Sequence, residues 1–331
     1  MSPQTKQETS APAGSLSALA SPRLSIGTRG SPLALWQAHA VRDALAGALG
    51  RAPQSIAITV IRTTGDAIQD RALSQAGGKG LFTKEIEEAL LDGRIDLAVH
   101  SAKDVATVLH GALPLAGSRP RAEVRAALFL KSGKPASGAA VAALPQGARV
   151  GTASLRREAM LRRARPDLRV ELLRGNVQTR LARVRTGDLD ATLLALAGLT
   201  RLGLAHEADA VLETDAFLPA AGQGAVAIEC RIADAATNAA IAAIACPATG
   251  VALAAERAFL AALDGSCRTP IGALAILYGG TVRLRGIVLA PDGGDAAEIA
   301  AEAPADEAAR LGAACGAELR GSAPGRALGL A

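Results

Sequence analysis

The run V-H-S-A-K-D ends an apolar stretch with Ser101, Lys103 and Asp104 delivered into one turn. An acid presented at a strand end can face the cleft between lobes, where it could serve catalysis. Its humbler use is to cap the segment that follows. A Ser–His–Asp hydrolase is disfavoured, because neighbours within one turn cannot adopt the linear geometry of a triad. A second group points to the ligand. Thirty of the thirty-six basic residues are Arg, and twelve of these fall between Arg149 and Arg201. Arg156, Arg157, Arg174, Arg180 and Arg201 sit where apolar segments turn into loops or helices, in V-G-T-A-S-L-R-R, L-L-R-G-N-V-Q-T-R and L-A-L-A-G-L-T-R. A guanidinium is planar, permanently charged and able to grip a carboxylate through two parallel hydrogen bonds. Such a set suits a ligand carrying many carboxylates or phosphates. Arg162, Arg163, Arg165, Arg183 and Arg185 read instead as a solvated helix face.

Two further motifs have both a chemical and a plain reading. G-G-K-G-L-F-T-K surrounds Lys79 with glycines and leads into a helix, which suits a loop that folds over an anion or an ordinary surface loop. Its spacing is not that of a Walker A loop. D-G-S-C-R-T-P-I-G sets Cys267 in a Gly/Ser turn, where an accessible thiolate can be alkylated. The plain reading is a small buried hydrophobe. Cys230, Cys246 and Cys315 are dispersed, with no CxxC pair, so neither a zinc site nor a disulfide framework is expected. His39, His100, His110 and His206 lack metal-ligand spacing, and no metal is expected.

The elements that must hold these residues follow an α/β pattern. Leu24–Thr28 reads as a strand, and Ser31–Pro32 opens a helix over Leu33–Leu45. Ile56–Arg62 and Ile95–His100 are strand-like runs, with a helix at Phe82–Leu91. The alternation repeats from about Ala126 to Leu204, with strands ending at Val150 and spanning Leu168–Leu173 and Ala191–Leu196. After Pro219 come a loop and a strand, helices near 235–243 and 248–263, and a small strand-and-helix unit. Strand–helix alternation with short loops indicates largely parallel sheets, whose carboxyl ends gather ligands beside helix N-termini. Residues 1–23, rich in Ser, Ala and Pro, read as a disordered leader without the apolar stretch of a secretion signal. No apolar run approaches the roughly twenty residues of a membrane span. One Trp, one Tyr and four Phe make base stacking a poor prospect, and the net charge of +5 is modest. The expectation is a cytoplasmic protein in a reducing compartment.

Taken in order, these segments resemble the hydroxymethylbilane synthase (porphobilinogen deaminase) family. The resemblance runs from about Leu24 to Gly272 through T-R-G-S-P-L-A-L-W-Q-A, T-T-G-D-A-I-Q-D, G-G-K-G-L-F-T-K-E-I-E, V-H-S-A-K-D, G-T-A-S-L-R-R, L-R-G-N-V-Q-T-R-L, A-G-L-T-R-L-G, G-Q-G-A-V-A-I-E-C-R and G-S-C-R-T-P-I-G. It implies a fold of two periplasmic-binding-protein-like α/β lobes with mostly parallel sheets, plus a small α+β C-terminal domain. The expected division is lobe 1 over 24–122 with 220–243, lobe 2 over 123–219, and the C-terminal domain over 244–331. It implies a transferase that joins four porphobilinogens head to tail, releases ammonia at each addition, and hydrolyses off linear hydroxymethylbilane. Cys267 would hold a dipyrromethane cofactor by a thioether, with Lys103, Ser154, Arg156, Arg157 and Asp104 around it. Asp104, with Lys103, would be catalytic. Arg29, Ser31, Lys79, Ser101, Arg174, Arg180, Arg201 and Gln223 would hold substrate carboxylates. The family further implies a monomer, while the scarce aromatics, modest charge and lack of a long apolar run argue against binding nucleic acid or membrane. The alternative is a non-catalytic polyanion-binding or sensor protein on the same scaffold. Departures include Ala102 for Met, V-A-T for V-P-T after Asp104, Ala153 and Ser266 for Ser and Gly, and R-A-E-V-R-A at 121–126 for R-E-D-P-R-D, where the hinge between lobes is expected.

Overall fold

Ser31 accepts a hydrogen bond from the Ala34 amide at 3.2 Å, and Pro32 occupies the first helical turn. Strand β1 (Ser25–Thr28) therefore hands over abruptly to helix α1 (Pro32–Ala48). The protein is described by a computed structural model over residues 24–67, 81–134, 140–265 and 269–327. The leader at 1–23, Lys79 and Cys267 lie outside the described residues.

The first sheet also contains β2 (Ala57–Val60), β3 (Leu97–Ser101), β4 (Leu115–Ser118) and β10 (Val226–Cys230), in the order β2-β1-β3-β10-β4. Helices α2 (Thr64–Ala67) and α3 (Lys84–Leu91) lie between β2 and β3. Strands β1, β2 and β3 are mutually parallel, and β10 runs antiparallel to both its neighbours. The second sheet repeats this plan with β5 (Ala126–Leu130), β6 (Arg149–Gly151), β7 (Arg169–Glu171), β8 (Ala191–Ala195) and β9 (Ala210–Leu212), in the order β7-β6-β8-β5-β9. There β5 is the reversed strand. Helices α4 (Leu155–Ala164), α5 (Val177–Arg185) and α6 (Leu196–Arg201) follow β6, β7 and β8. The central strands are buried along almost their whole length, and so read in the sequence as continuous apolar runs rather than alternating ones.

Helices α7 (Ala235–Ala242) and α8 (Pro247–Ala262) lead to an antiparallel sheet of β11 (Ile271–Tyr278), β12 (Thr281–Leu289) and β13 (Ala296–Pro304), followed by α9 (Ala308–Arg320) and α10 (Ala323–Ala327). Phe259 of α8 is fully buried against Val282, Leu284 and Val288. The expected architecture of two α/β lobes and a small α+β unit is the one observed. Among the described residues no single helix is long and apolar enough to cross a membrane.

Two segments cross between the lobes, and they pair with each other. The Arg119 amide donates to the Val226 carbonyl at 3.0 Å, and the Ala122 amide to that of Gly224 at 3.2 Å. The G-Q-G motif has a steric cause here. A Cβ on Gly224 would lie 2.5 Å from the Ala122 carbonyl oxygen, and one on Gly222 would lie 2.9 Å from the Ala102–Lys103 backbone. Both glycines also have positive φ. The altered R-A-E-V-R stretch is firmly anchored: Arg125 pairs with Glu123 and Glu213 at 2.8 and 2.6 Å, and Arg121 reaches a buried carboxylate of α8.

Candidate active site

Strand β3 ends at Ser101, and a single 3₁₀ turn, Ala102–Asp104, carries Lys103 and Asp104. The turn is fixed from below by the Ala102 amide, which donates to the Ala225 carbonyl of the crossing segment at 3.0 Å. Asp104 lines a small cavity with Arg29, Ser31, Phe82, Thr83 and Ser101. Its volume, about 60 Å³, is well below the few hundred that ligand pockets occupy, so a pyrrole-sized molecule enters only if its walls part.

Each wall residue has a defined support. Ser101 Oγ is hydrogen-bonded to the side-chain amide of Gln37, buried on α1, at 3.0 Å. Arg29 lies 4.2 Å over the Phe82 ring and is paired with Asp66. Burial opposes ionisation of Asp66, but the bonds from Arg29 and Thr63 outweigh it and hold the carboxyl below its usual range. The hydroxyl of Thr83 is buried and meets no hydrogen-bond partner among the described residues.

Lys103, beside Asp104, meets a cationic group supplied by the second lobe. Ser154 caps α4, accepting from the Arg157 amide at 3.4 Å, and sets Arg156 and Arg157 in the first turn. These two side chains are almost completely buried, 4% and 6% exposed. Arg156 donates to the Leu218 carbonyl at 2.5 Å and Arg157 to that of Leu193 at 2.8 Å. Both Nε groups are buried and meet no partner among the described residues. Burial pushes Arg156 down to about 10; burial, then Arg156 and Arg180, push Arg157 down to about 9. Lys103 is pushed down to about 8, chiefly by burial, with Asp104 opposing the shift and Arg157, Arg180 and Arg156 adding to it. Arg180 is lowered by burial against the pull of Asp104. Cations crowded around one acid, with donors left over, are what a site for a polycarboxylate requires.

The structure thus gathers Lys103, Asp104, Arg156, Arg157 and Arg180 into one electrostatic cluster. Arg174 reaches from lobe 2 to the Gly65 carbonyl of lobe 1 at 3.5 Å. Arg201 and Gln223 are engaged by the crossings: Arg201 donates to the Gly224 carbonyl at 2.6 Å beneath Trp36, and Gln223 donates to the Val124 carbonyl. Of the helix-face arginines, Arg162, Arg183 and Arg185 pair with Glu158, Asp188 and Glu207 as such residues do. Arg165 departs from that expectation, because it also donates to the carbonyls of Val141, Ala142 and Leu144 and so ties down a loop. Gln37, Asp66 and Thr83 lie inside T-R-G-S-P-L-A-L-W-Q-A, T-T-G-D-A-I-Q-D and G-G-K-G-L-F-T-K, but nothing in their type or spacing marks them as supports of the site, which is a tertiary fact.

The family model described as "Porphobilinogen deaminase, dipyromethane cofactor binding domain" matches residues 24–239, and "Porphobilinogen deaminase, C-terminal domain" matches 251–321. The porphobilinogen deaminase of Nitrobacter winogradskyi is 58% identical over 295 residues, covering 89% of this chain and 92% of the relative. That of Paracoccus denitrificans is 50% identical over 299 residues, covering 90% and 94%. Among solved structures, an ABC transporter periplasmic binding protein from Brucella ovis with glutathione bound aligns at a TM-score of 0.40 and 16% identity. That alignment covers 73% of this chain and 68% of the other, too weak a match to add to what the sheets show themselves.

Proposed function

The chain belongs to the porphobilinogen deaminase family, and from its site we propose how individual residues divide the family's work. Its activity is that of a transferase that condenses four porphobilinogens head to tail with loss of ammonia and releases linear hydroxymethylbilane by hydrolysis. A non-catalytic anion sensor on the same scaffold is thereby set aside.

The observation that carries the assignment of residues is the Lys103–Asp104 pair facing three largely buried arginines, two of which have orphaned Nε donors. Dipyrromethane fits this donor set, since its carboxylates would satisfy Lys103, Ser154, Arg156 and Arg157, and Cys267 would carry it by a thioether. When bound, it supplies the pyrrole end to which substrate is added. Arg29, Ser31, Lys79, Ser101, Arg174, Arg180, Arg201 and Gln223 are assigned to the acetate and propionate groups of substrate. Arg201 and Gln223 would first release their carbonyl partners, as the parting of the walls allows.

Asp104 is assigned the central electrostatic role. Loss of ammonia takes the bonding electron pair with the amine and leaves a cationic methylene-pyrrolenine. A fixed carboxylate beside the pyrrole N–H lowers the energy of that cation. The same carboxylate can carry away the proton displaced as each carbon–carbon bond forms. Lys103 keeps a positive charge beside Asp104 below about pH 8, which attracts substrate carboxylates. The chain is read as a cytoplasmic monomer that binds neither nucleic acid nor membrane; the buried Arg156 and Arg157 are not offered to a phosphate backbone on the surface.

Intact-protein mass spectrometry of wild type and Cys267→Ser tests the reading. An added mass of two linked pyrroles on wild type, absent from the variant, is expected. An unmodified wild type after incubation with porphobilinogen, or an adduct that survives in the variant, overturns the role of Cys267.

A further inference from the structure

Behind the Asp104 turn a buried polar chain leads to the segment that enters Cys267. Glu229 of β10 is fully buried, with Oε2 3.2 Å from Nε2 of His100 on the adjacent strand β3. The contact has ion-pair distance without hydrogen-bond geometry, and neither Glu229 oxygen has a hydrogen-bond partner among the described residues. A cation close enough to interact with this carboxylate is Arg257 of α8. Burial lowers Arg257, and the nearby Glu229 opposes that shift.

The Arg257 guanidinium is turned to the backbone just past Asp104. Its Nη2 donates to the Ala106 carbonyl at 2.7 Å and to that of Thr107 at 3.0 Å. Thr107 Oγ1 in turn donates to the Gly265 carbonyl at 2.6 Å, across 158 residues of sequence. Gly265 follows the end of α8 and stands two residues before Cys267. One helix therefore supplies both the guanidinium that fixes the carbonyls on either side of Thr107 and the segment that its hydroxyl fixes.

We propose that Thr107 and Arg257 are positioning residues that hold the Asp104 turn in register with the segment entering Cys267. The inference rests on the roles given above to Asp104 and Cys267. Its physical basis is that Asp104 belongs to lobe 1 while Cys267 belongs to the C-terminal unit, so nothing in the covalent chain sets their separation. Bond formation needs reacting atoms held to within about 3–3.5 Å, and a misplacement of about 1 Å costs on the order of 10²-fold in rate. Of the contacts described, the Thr107–Gly265 bond spans this joint with the least intervening structure. It also assigns a use to the V-A-T that continues V-H-S-A-K-D. The threonine holds the joint, while the residue before it contributes only its carbonyl, which Ala supplies as well as Pro.

Thr107→Val keeps the branched shape and removes only the donor. It is expected to retain the two-pyrrole adduct and a melting temperature near that of wild type, to keep KM for porphobilinogen within about twofold, and to lose at least tenfold in kcat. Thr107→Ser, which restores the donor, is expected to recover most of that loss. Arg257→Lys, which keeps the positive charge but whose shorter side chain stops short of the two carbonyls that Nη2 reaches, is expected to lose kcat with the adduct intact. Wild-type kcat in Thr107→Val overturns the proposal. So does a loss that Ser does not rescue, or a fall confined to KM or to melting temperature. An adduct missing from wild type would strike instead at the role of Cys267, which the mass measurement reads separately from these rates.

Discussion

Arg121 and Glu256 meet fork to fork, at 2.5 and 3.1 Å, where both crossings between the lobes touch helix α8. Glu256 is fully buried, and its oxygens also accept from the Gly222 amide at 2.6 Å and the Ala275 amide at 2.7 Å. One carboxylate thus joins the first crossing, the second crossing and strand β11. Breaking a buried ion pair by removing one charge costs about 3–5 kcal/mol, because the other is left uncompensated. Glu256→Gln is expected to fall in this range in denaturant or thermal unfolding.

Asp104→Asn is nearly isosteric and removes the charge that the ammonia-loss cation needs. We expect turnover to fall at least about 10²-fold, the range seen when one electrostatic stabiliser is removed. The adduct on Cys267 and the melting temperature should be retained. Steady-state rates within a few-fold of wild type would show that Asp104 has another role.

The depressed Lys103 gives a pH signature in cofactor-free protein. An unfolded lysine keeps its proton to about 10.4, whereas Lys103 in the fold loses it near 8. Between these values the unfolded chain binds more protons, so this group makes stability rise with pH through that window. The Cys267→Ser protein should therefore show a melting temperature with an upward component from about pH 8 to 10, absent from its Lys103→Met derivative. Affinity for substrate carboxylates should move the other way, weakening as Lys103 loses its charge.

Thr83 couples stability to binding. Its buried hydroxyl meets no partner among the described residues and faces the Asp104 cavity. Thr83→Val removes a desolvated donor, worth about 1 kcal/mol or more in favour of the fold. If substrate satisfies that hydroxyl, the same change raises KM several-fold. A higher melting temperature with unchanged KM would leave Thr83 a purely structural burden.

How legible all this is from residues alone depends on whether the signal is local. Ser31–Pro32, Ser154 and Asn176 announce helix starts through side chains that act within one turn, and each caps a helix as its type suggests. V-H-S-A-K-D and the lobe 2 arginines are equally compact, so the cationic group and its acid could be anticipated. Strands β4 and β9 went unread because they are short, and each is identified mainly by pairing with a reversed strand distant in sequence. Glu256 and Arg257 sit in an Ala-rich helix where a Glu–Arg step reads as solvent-facing. Only the approach of the crossings and of the Ala106–Thr107 carbonyls turns both inward.

The placement of β10 between β3 and β4 sets an order of assembly during synthesis. All five strands of the second sheet lie between residues 126 and 212, whereas the first sheet needs residues 226–230 to bridge β3 and β4. At about 5–20 residues per second, the ribosome exposes a complete second lobe roughly a second or more before the first can close. Until then β3 and β4 lack the strand that joins them, and the apolar edge of β3 stands open to wrong partners. A nascent chain that has emerged from the ribosome through residue 212 would carry one complete sheet and one waiting for its last strand.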